Sequence, residues 1–199
     1  MKLYGTTTSP FVRRVRIVAA ELGVPFELIR TAGEEGQKTL RGLTPIWMVP
    51  IAEIDGEVVF DSHVIIEHLL RHHGYGPLRT AGGVSWLREQ NLISAIDGAL
   101  DSGVELFSLE RGGVEAESAP YVVKQRDRVK SILTWLDEQL HGTWLTEESR
   151  LGLADIYLIS ALDWMIFRKR YPVETHEGLA VFLAAHAEHP SIKSTYPTE

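Results

Sequence analysis

Thr6, Thr7, Thr8 and Ser9 stand in a row between a short apolar stretch and Pro10, and the chain continues FVRRVR. Hydroxyls placed this way are turn and cap residues, or one of them has a chemical partner. Ser9 before Pro10 reads as an N-cap with proline at the first helical position. The same geometry aims helix N-terminal N–H groups and the positive end of the dipole at whatever binds there, which favours an anion. A second pair, Asp61-Ser62, opens another helix-like stretch, and either residue is a good N-cap after a strand. His68 and His72 lie four apart with His73 following, but the zincin pattern needs a glutamate where Leu69 stands, so no metal site is assigned. Cysteine is absent, which excludes disulfides, thiolate metal sites and protein mixed disulfides. Any sulfur chemistry must use sulfur carried in by a ligand.

The elements that hold these residues fall into two classes. Lys2–Gly5 reads as a strand. Pro10–Leu22 has Phe11, Val15, Ile17, Val18 and Leu22 at near-helical spacing, closed by Gly23. Phe26–Ile29 is a second strand, and Ala32–Gly42 holds a short helix at most. Ile51–Ile54 and Glu57–Phe60 flank Asp55-Gly56, a strong hairpin signal. A helix over Val64–His73 ends at Gly74. The order is β-α-β-α-β-β-α, with an antiparallel pair at its end. From Val84 onward strand signals almost vanish, and Val84–Leu109, Ala119–Leu140, Leu153–Tyr171 and Glu177–His186 read as helices. The glycine- and proline-rich 76–83 reads as a linker. The expected organisation is an α/β domain over 1–75 and an all-helical domain over 84–199.

Bulk properties narrow the partners. A chain of 199 residues with 44% hydrophobic and 24% charged residues is ordinary for a globular protein. Its net charge of −7, with Arg13, Arg14 and Arg16 as the one local basic cluster, argues against nucleic acid. No apolar run reaches the roughly 18 residues needed to span a bilayer, and no signal-peptide core is present, so a cytoplasmic location is the default expectation.

Pro50 stands at the mouth of the third strand, where proline need not donate to the ladder. In a unit of this order, Val49-Pro50 before the hairpin is similar to the cis-proline loop of thioredoxin-like folds. A cis bond there would turn the Val49 backbone outward to pair with an extended peptide. With TSPFVRRVRI, TPIWMVPIAEI, FDSHVIIEHL and LADIYL in order across the domain change, the chain resembles the glutathione S-transferase family over essentially its whole length.

The resemblance implies a thioredoxin-like domain that binds glutathione as co-substrate, a helical domain lining the site of a small hydrophobic electrophile, and a homodimer. It implies no prosthetic group and no membrane or nucleic-acid partner. Ser9 takes the position of the thiol in cysteine-type relatives, and Thr8 that of the hydroxyl in some serine-type relatives. Ser9 is therefore the first candidate donor to the glutathione thiolate and Thr8 the second. Phe11, Val49 and Pro50 are the implied substrate contacts, and Asp61-Ser62 the implied holder of the γ-glutamyl end, since an ammonium wants a carboxylate.

The chain departs from the family pattern at two places. Trp47-Met48 replaces the Gly-Lys common before Val-Pro, leaving Lys38 or Arg41 as candidates for the glycyl carboxylate. Gly152 replaces the Ser or Thr three residues before Asp155, so half of a capping box is missing. Arg13 reads as a surface arginine, and Asp97, Asp101 and Glu105 as a solvated stripe. Trp86, Trp135, Trp144 and Trp164 read as core residues or interface anchors. The leading expectation is a glutathione transferase; the alternatives are a glutathione-dependent isomerase and a non-catalytic binding module.

Overall fold

Alternation along the first strand sends Leu3 and Tyr4 to opposite faces, and both are buried, so the sheet is covered on both sides. The computed structural model describes residues 1–114, 119–146 and 148–198. Its first part runs β1 (Lys2–Gly5), α1 (Pro10–Glu21), β2 (Glu27–Arg30), α2 (Gly33–Leu43), β3 (Ile51–Ile54), β4 (Glu57–Phe60) and α3 (Ser62–His73). The strands are ordered β2-β1-β3-β4. β1 is parallel to β2, and the β1–β3 and β3–β4 pairs are antiparallel. Asp55 and Gly56 carry φ of 51° and 88°, the left-handed pair a tight hairpin needs.

Tyr4, Leu40 and Ile51 form a buried cluster with Ile29, Leu43 and Val49 packed on it, which brings α2 onto one face of the sheet. The stretch expected to hold a short helix at most is an 11-residue helix, anchored by Leu40 and helped by Glu34 and Glu35 in its first turn. Gly5 ends β1 because α1 crosses directly over it: a Cβ there would lie 2.3 Å from Val12 Cγ2.

The rest comprises α4 (Gly83–Arg111), α5 (Pro120–Glu138), α6 (Leu153–Phe167), a 3-10 turn (Val173–Thr175), α7 (Glu177–His186) and α8 (Pro190–Ser194). α6 is apolar on every side, with Ile156, Leu158, Ile159 and Leu162 all fully buried, as befits a central helix. Trp164 is buried on it, edge-on to Phe107, whereas Trp86 and Trp135 are exposed. No helix among the described residues is long and apolar enough to cross a membrane.

The Asp155 carboxylate accepts from the backbone N–H groups of Gly152 (2.9 Å) and Leu145 (3.0 Å). Gly152 has its own reason. A Cβ at that point would lie 3.0 Å from Arg79 Nε and 3.1 Å from Glu89 Oε1, a buried ion pair that fills the space of a larger cap residue. Burial pushes the Glu89 carboxyl up, against the opposing pull of the Arg79 guanidinium.

Two compact units result: Met1–Leu78 with Glu188–Glu199, and Arg79–Ala187. The division differs from the expected 1–75, 76–83 and 84–199 at both ends. Arg79, expected in the linker, is tied into the helical unit by Glu89 and by its N–H bond to the Leu151 carbonyl (2.8 Å). The last segment, expected in the helical domain, returns to the first unit, where α8 packs on α1.

Candidate functional site

The register of the sheet determines which loops meet. Tyr4 at the end of β1 pairs with Ile51 at the start of β3, and Ile51 pairs with Phe60 at the end of β4. Residues 6–9, 49–50 and 61–62 therefore all leave the sheet at the same end, in the lateral order β1, β3, β4. Neighbouring strands lie about 4.8 Å apart, so the row spans about 10 Å, the reach of an extended tripeptide.

At the first position of the row, Ser9 is the N-cap of α1 with extended backbone (φ −80°, ψ 125°). Its Oγ accepts from the Val12 N–H at 3.3 Å, and its own N–H donates to the Thr6 carbonyl at 3.2 Å. A serine hydroxyl has one hydrogen to donate and two lone pairs. Capping uses a lone pair, so the hydrogen remains for an anion at the helix N-terminus, and the capping and chemical roles are compatible. Thr8 Oγ1 lies 3.3 Å from Thr6 Oγ1, and Thr7 Oγ1 donates to the Thr198 carbonyl at 2.7 Å.

In the middle of the row, the Val49–Pro50 peptide bond is cis. Pro50 is buried and Val49 half-buried. Just before them Trp47 adopts φ 53° and Met48 is 60% exposed, while the Arg41 guanidinium lies 5.2 Å from the centre of the Trp47 ring. Of the two cations considered for a carboxylate here, Arg41 is thus at the loop itself, and Lys38 is exposed on α2.

At the far position, Asp61 caps α3 from the left-handed region (φ 78°), its Oδ1 accepting from the His63 N–H at 2.7 Å. Ser62 is buried, and its Oγ accepts from Arg14 Nε (2.9 Å) and Nη2 (2.6 Å). Both lone pairs are taken, so the Ser62 hydroxyl can act on a ligand only as a donor, which suits a carboxylate. The same guanidinium lies 5.0 Å from the centre of the Phe11 ring on its own helix, so Arg14 joins Phe11 to the start of α3.

Within the helical unit, α4, α5 and the end of α6 line an open cavity of about 1100 Å³. Leu106, Val122 and Met165 make it apolar in part, and Arg126, Lys130 and Lys169 stand in its wall. Glu105, expected in a solvated stripe, accepts from the Tyr121 hydroxyl at 2.6 Å. Among the described residues, no group of three or more His, Asp and Glu is placed to hold a metal, and the His68 and His72 rings stack with centroids 4.1 Å apart.

The family model of the glutathione S-transferase N-terminal domain matches residues 3–77, and that of the C-terminal domain matches residues 86–191. The chain belongs to the glutathione S-transferase family. Among relatives, the uncharacterized GST-like protein YibF of Escherichia coli is 28% identical over 86% of this chain and 85% of its own. Maleylacetoacetate isomerase of Pseudomonas aeruginosa is 26% identical over 99% of this chain and 96% of its own. A crystal structure of a glutathione S-transferase from Methylobacillus flagellatus with GSH bound superposes with a TM-score of 0.87 at 26% identity, covering 99% of both chains.

Two buried residues beside the candidate site escaped the sequence reading. Arg13, read as a surface arginine, is 1% exposed and donates to the Ile192 carbonyl at 3.3 Å. Arg14, unassigned, is the partner of Ser62. The available signal was the run of basic residues on α1, in which Arg13 and Arg14 interrupt an otherwise apolar buried face.

Proposed function

We propose that the protein is a glutathione transferase that adds the glutathione thiolate to a small hydrophobic electrophile. The observation that carries this reading is the convergence of Ser9, Val49-Pro50 and Asp61-Ser62 at one end of the sheet, over the width of a tripeptide. In this reading the γ-glutamyl ammonium meets Asp61 and its carboxylate meets the Ser62 hydroxyl. The cysteinyl backbone pairs with Val49, and Arg41 or Lys38 faces the glycyl carboxylate. The thiol then sits at the N-terminus of α1, where the dipole and the Ser9 hydrogen favour its ionised form. The proton leaves to solvent, the sulfur forms a bond to the electrophilic carbon, and the leaving group departs with its electron pair. Thr8 is the second candidate for the donor. The cavity of the helical unit is the proposed source of electrophile contacts.

A homodimer belongs to this reading. Trp47, Met48 and Val64 are exposed in the first unit, and Val84, Trp86 and Leu87 in the second, apolar side chains available to a partner protomer. A cytoplasmic location belongs to it as well. Isomerisation is the second reading, favoured by the Pseudomonas isomerase whose similarity runs through both chains. There the thiolate adds to the substrate and is expelled again after bond rotation, so glutathione is not consumed. Titration calorimetry with glutathione and with an S-alkyl analogue, followed by turnover of a chloronitrobenzene, tests the proposal. Saturable heat with competition and chloride release supports the transferase. Heat with glutathione unconsumed while a cis-olefinic substrate is converted supports the isomerase. No heat with either ligand leaves a binding module of the same fold.

A further inference from the structure

Residues 188–198 run back along α1 in the opposite direction and end at the hydroxyl loop. At the C-terminal end of α1, His189 Nδ1 lies 3.5 Å from Glu21 Oε1. Further along, the Ile192 carbonyl accepts from Arg13 and the Thr195 carbonyl from Arg16 Nη1 (3.4 Å), and the Arg13 guanidinium lies 5.5 Å from the centre of the Tyr196 ring. Beyond them Thr7 Oγ1 donates to the Thr198 carbonyl at 2.7 Å. The carbonyls of Ile192 and Thr195 belong to the last turn of α8 and its cap, where C=O groups lack backbone N–H partners; that of Ile192 also accepts from Thr195 Oγ1 at 3.2 Å. The arginines of α1 supply those partners. Burial, and then the neighbouring Arg13 charge, pushes the Arg16 guanidinium down, a cost the chain bears to hold this segment in place.

Thr7 is the residue that turns this anchorage toward the site. It sits between Thr6, whose carbonyl accepts from the Ser9 N–H, and Thr8, whose hydroxyl meets that of Thr6. Through these links the position of Thr7 bears on where Thr8 and Ser9 stand. We propose that residues 188–198 act as a strap that positions the hydroxyl loop, with Thr7 as the positioning residue through which the Thr198 carbonyl sets the Ser9 and Thr8 hydroxyls toward the bound thiol. The inference rests on the glutathione transferase reading and adds a segment and a residue to it. Misplacement of a reacting group by about 1 Å costs up to about a hundredfold in rate, so partial loss of the strap is expected to cost less than that.

The test uses Thr7→Val, which keeps the shape and removes the donor, a chain ended after Tyr196, and the two combined. Thr7→Ser restores the donor. Steady-state kinetics, the ultraviolet titration of the bound thiol and Tm are read for each. Thr7→Val and the shortened chain should each raise the apparent pKa of the bound thiol and lower kcat by about three- to tenfold, with KM for glutathione within about twofold and Tm unchanged. The combined variant should match the single ones, because both break the same bond. Thr7→Ser should return to the parent values. Parent-like thiol pKa and kcat in both single variants would overturn the strap, as would effects that multiply in the combination or that appear only in KM. A parent protein that shows no bound thiolate refutes the functional reading itself, and the strap falls with it; that outcome is visible before any variant is made.

Discussion

Replacing Ser9 by alanine removes two interactions that use different parts of one hydroxyl. The lone pair on the Val12 N–H is a long bond of 3.3 Å, so its loss should cost about 0.5–1 kcal/mol of stability, the lower part of the range for N-caps. The hydrogen offered to sulfur acts on the rate. A free cysteine thiol with a pKa of about 8.5 is about 3% ionised at pH 7, and one lowered to about 7 is half ionised. The dipole supplies part of this shift, so loss of the donor should reduce turnover by up to about fifteenfold at pH 7. The deficit has a direction in pH: it should shrink as pH rises through about 8.5, where the thiol ionises without help. Ser9→Gly separates the two effects, since glycine at an N-cap costs only a few tenths of a kcal/mol yet donates nothing from a side chain. Turnover and the thiolate absorbance, measured from pH 6 to about 9.5 beside Tm, provide the comparison. A deficit that is constant over this range, or turnover unchanged in both Ser9→Ala and Thr8→Ala, would refute the assignment of a hydroxyl to the sulfur.

Three further outcomes are expected. Arg14→Lys keeps the charge but not the two-nitrogen grip on Ser62 Oγ, so KM for glutathione should rise about three- to tenfold in steady-state kinetics with kcat nearly unchanged. Arg79→Met leaves Glu89 buried without its partner and should destabilise by about 3–5 kcal/mol at neutral pH. A carboxyl whose folded pKa is raised adds stability below its unfolded value of about 4.3 and loses it as pH rises through the folded value. The Tm gap between Arg79→Met and parent should accordingly narrow toward pH 4, and a gap of equal size at both ends would contradict this account. Arg126→Gln with Lys130→Gln should lower kcat/KM for an electrophile bearing a carboxylate by about two- to fivefold relative to its methyl ester, the size expected of exposed ion pairs. Equal losses on both substrates would remove the helical-unit cavity from the electrophile's path.

Local patterns were legible where the chain's own neighbours decide the structure. β1, β3 and β4 begin and end at the expected residues, because alternation and the Asp55-Gly56 turn are short-range signals. The cap at Ser9 and the cap at Asp61 were readable for the same reason. Illegible were contacts between residues far apart in sequence. Arg13 meets Ile192, 179 residues on, and nothing near either position marks the other. A cluster of three arginines on one helix looks solvated because arginine rarely enters a core unpaired. Arg14 turns to Ser62, whereas Arg13 and Arg16 reach carbonyl groups at the end of a five-residue helix that is itself too short for its periodicity to be recognised. Gly152 looked like half a missing cap, and only the Arg79–Glu89 pair beside it explains the vacancy.

Because antiparallel pairing across β3 gathers the three segments of the proposed site at one rim, the reverse turn at Asp55-Gly56 necessarily hangs from the other rim. Gly56 is exposed and nothing lies within 4 Å of where its Cβ would be, although its positive φ suits glycine best. A tether, dye or surface linkage placed beside it, at the exposed Glu57, would orient immobilised molecules with their binding mouth away from the support.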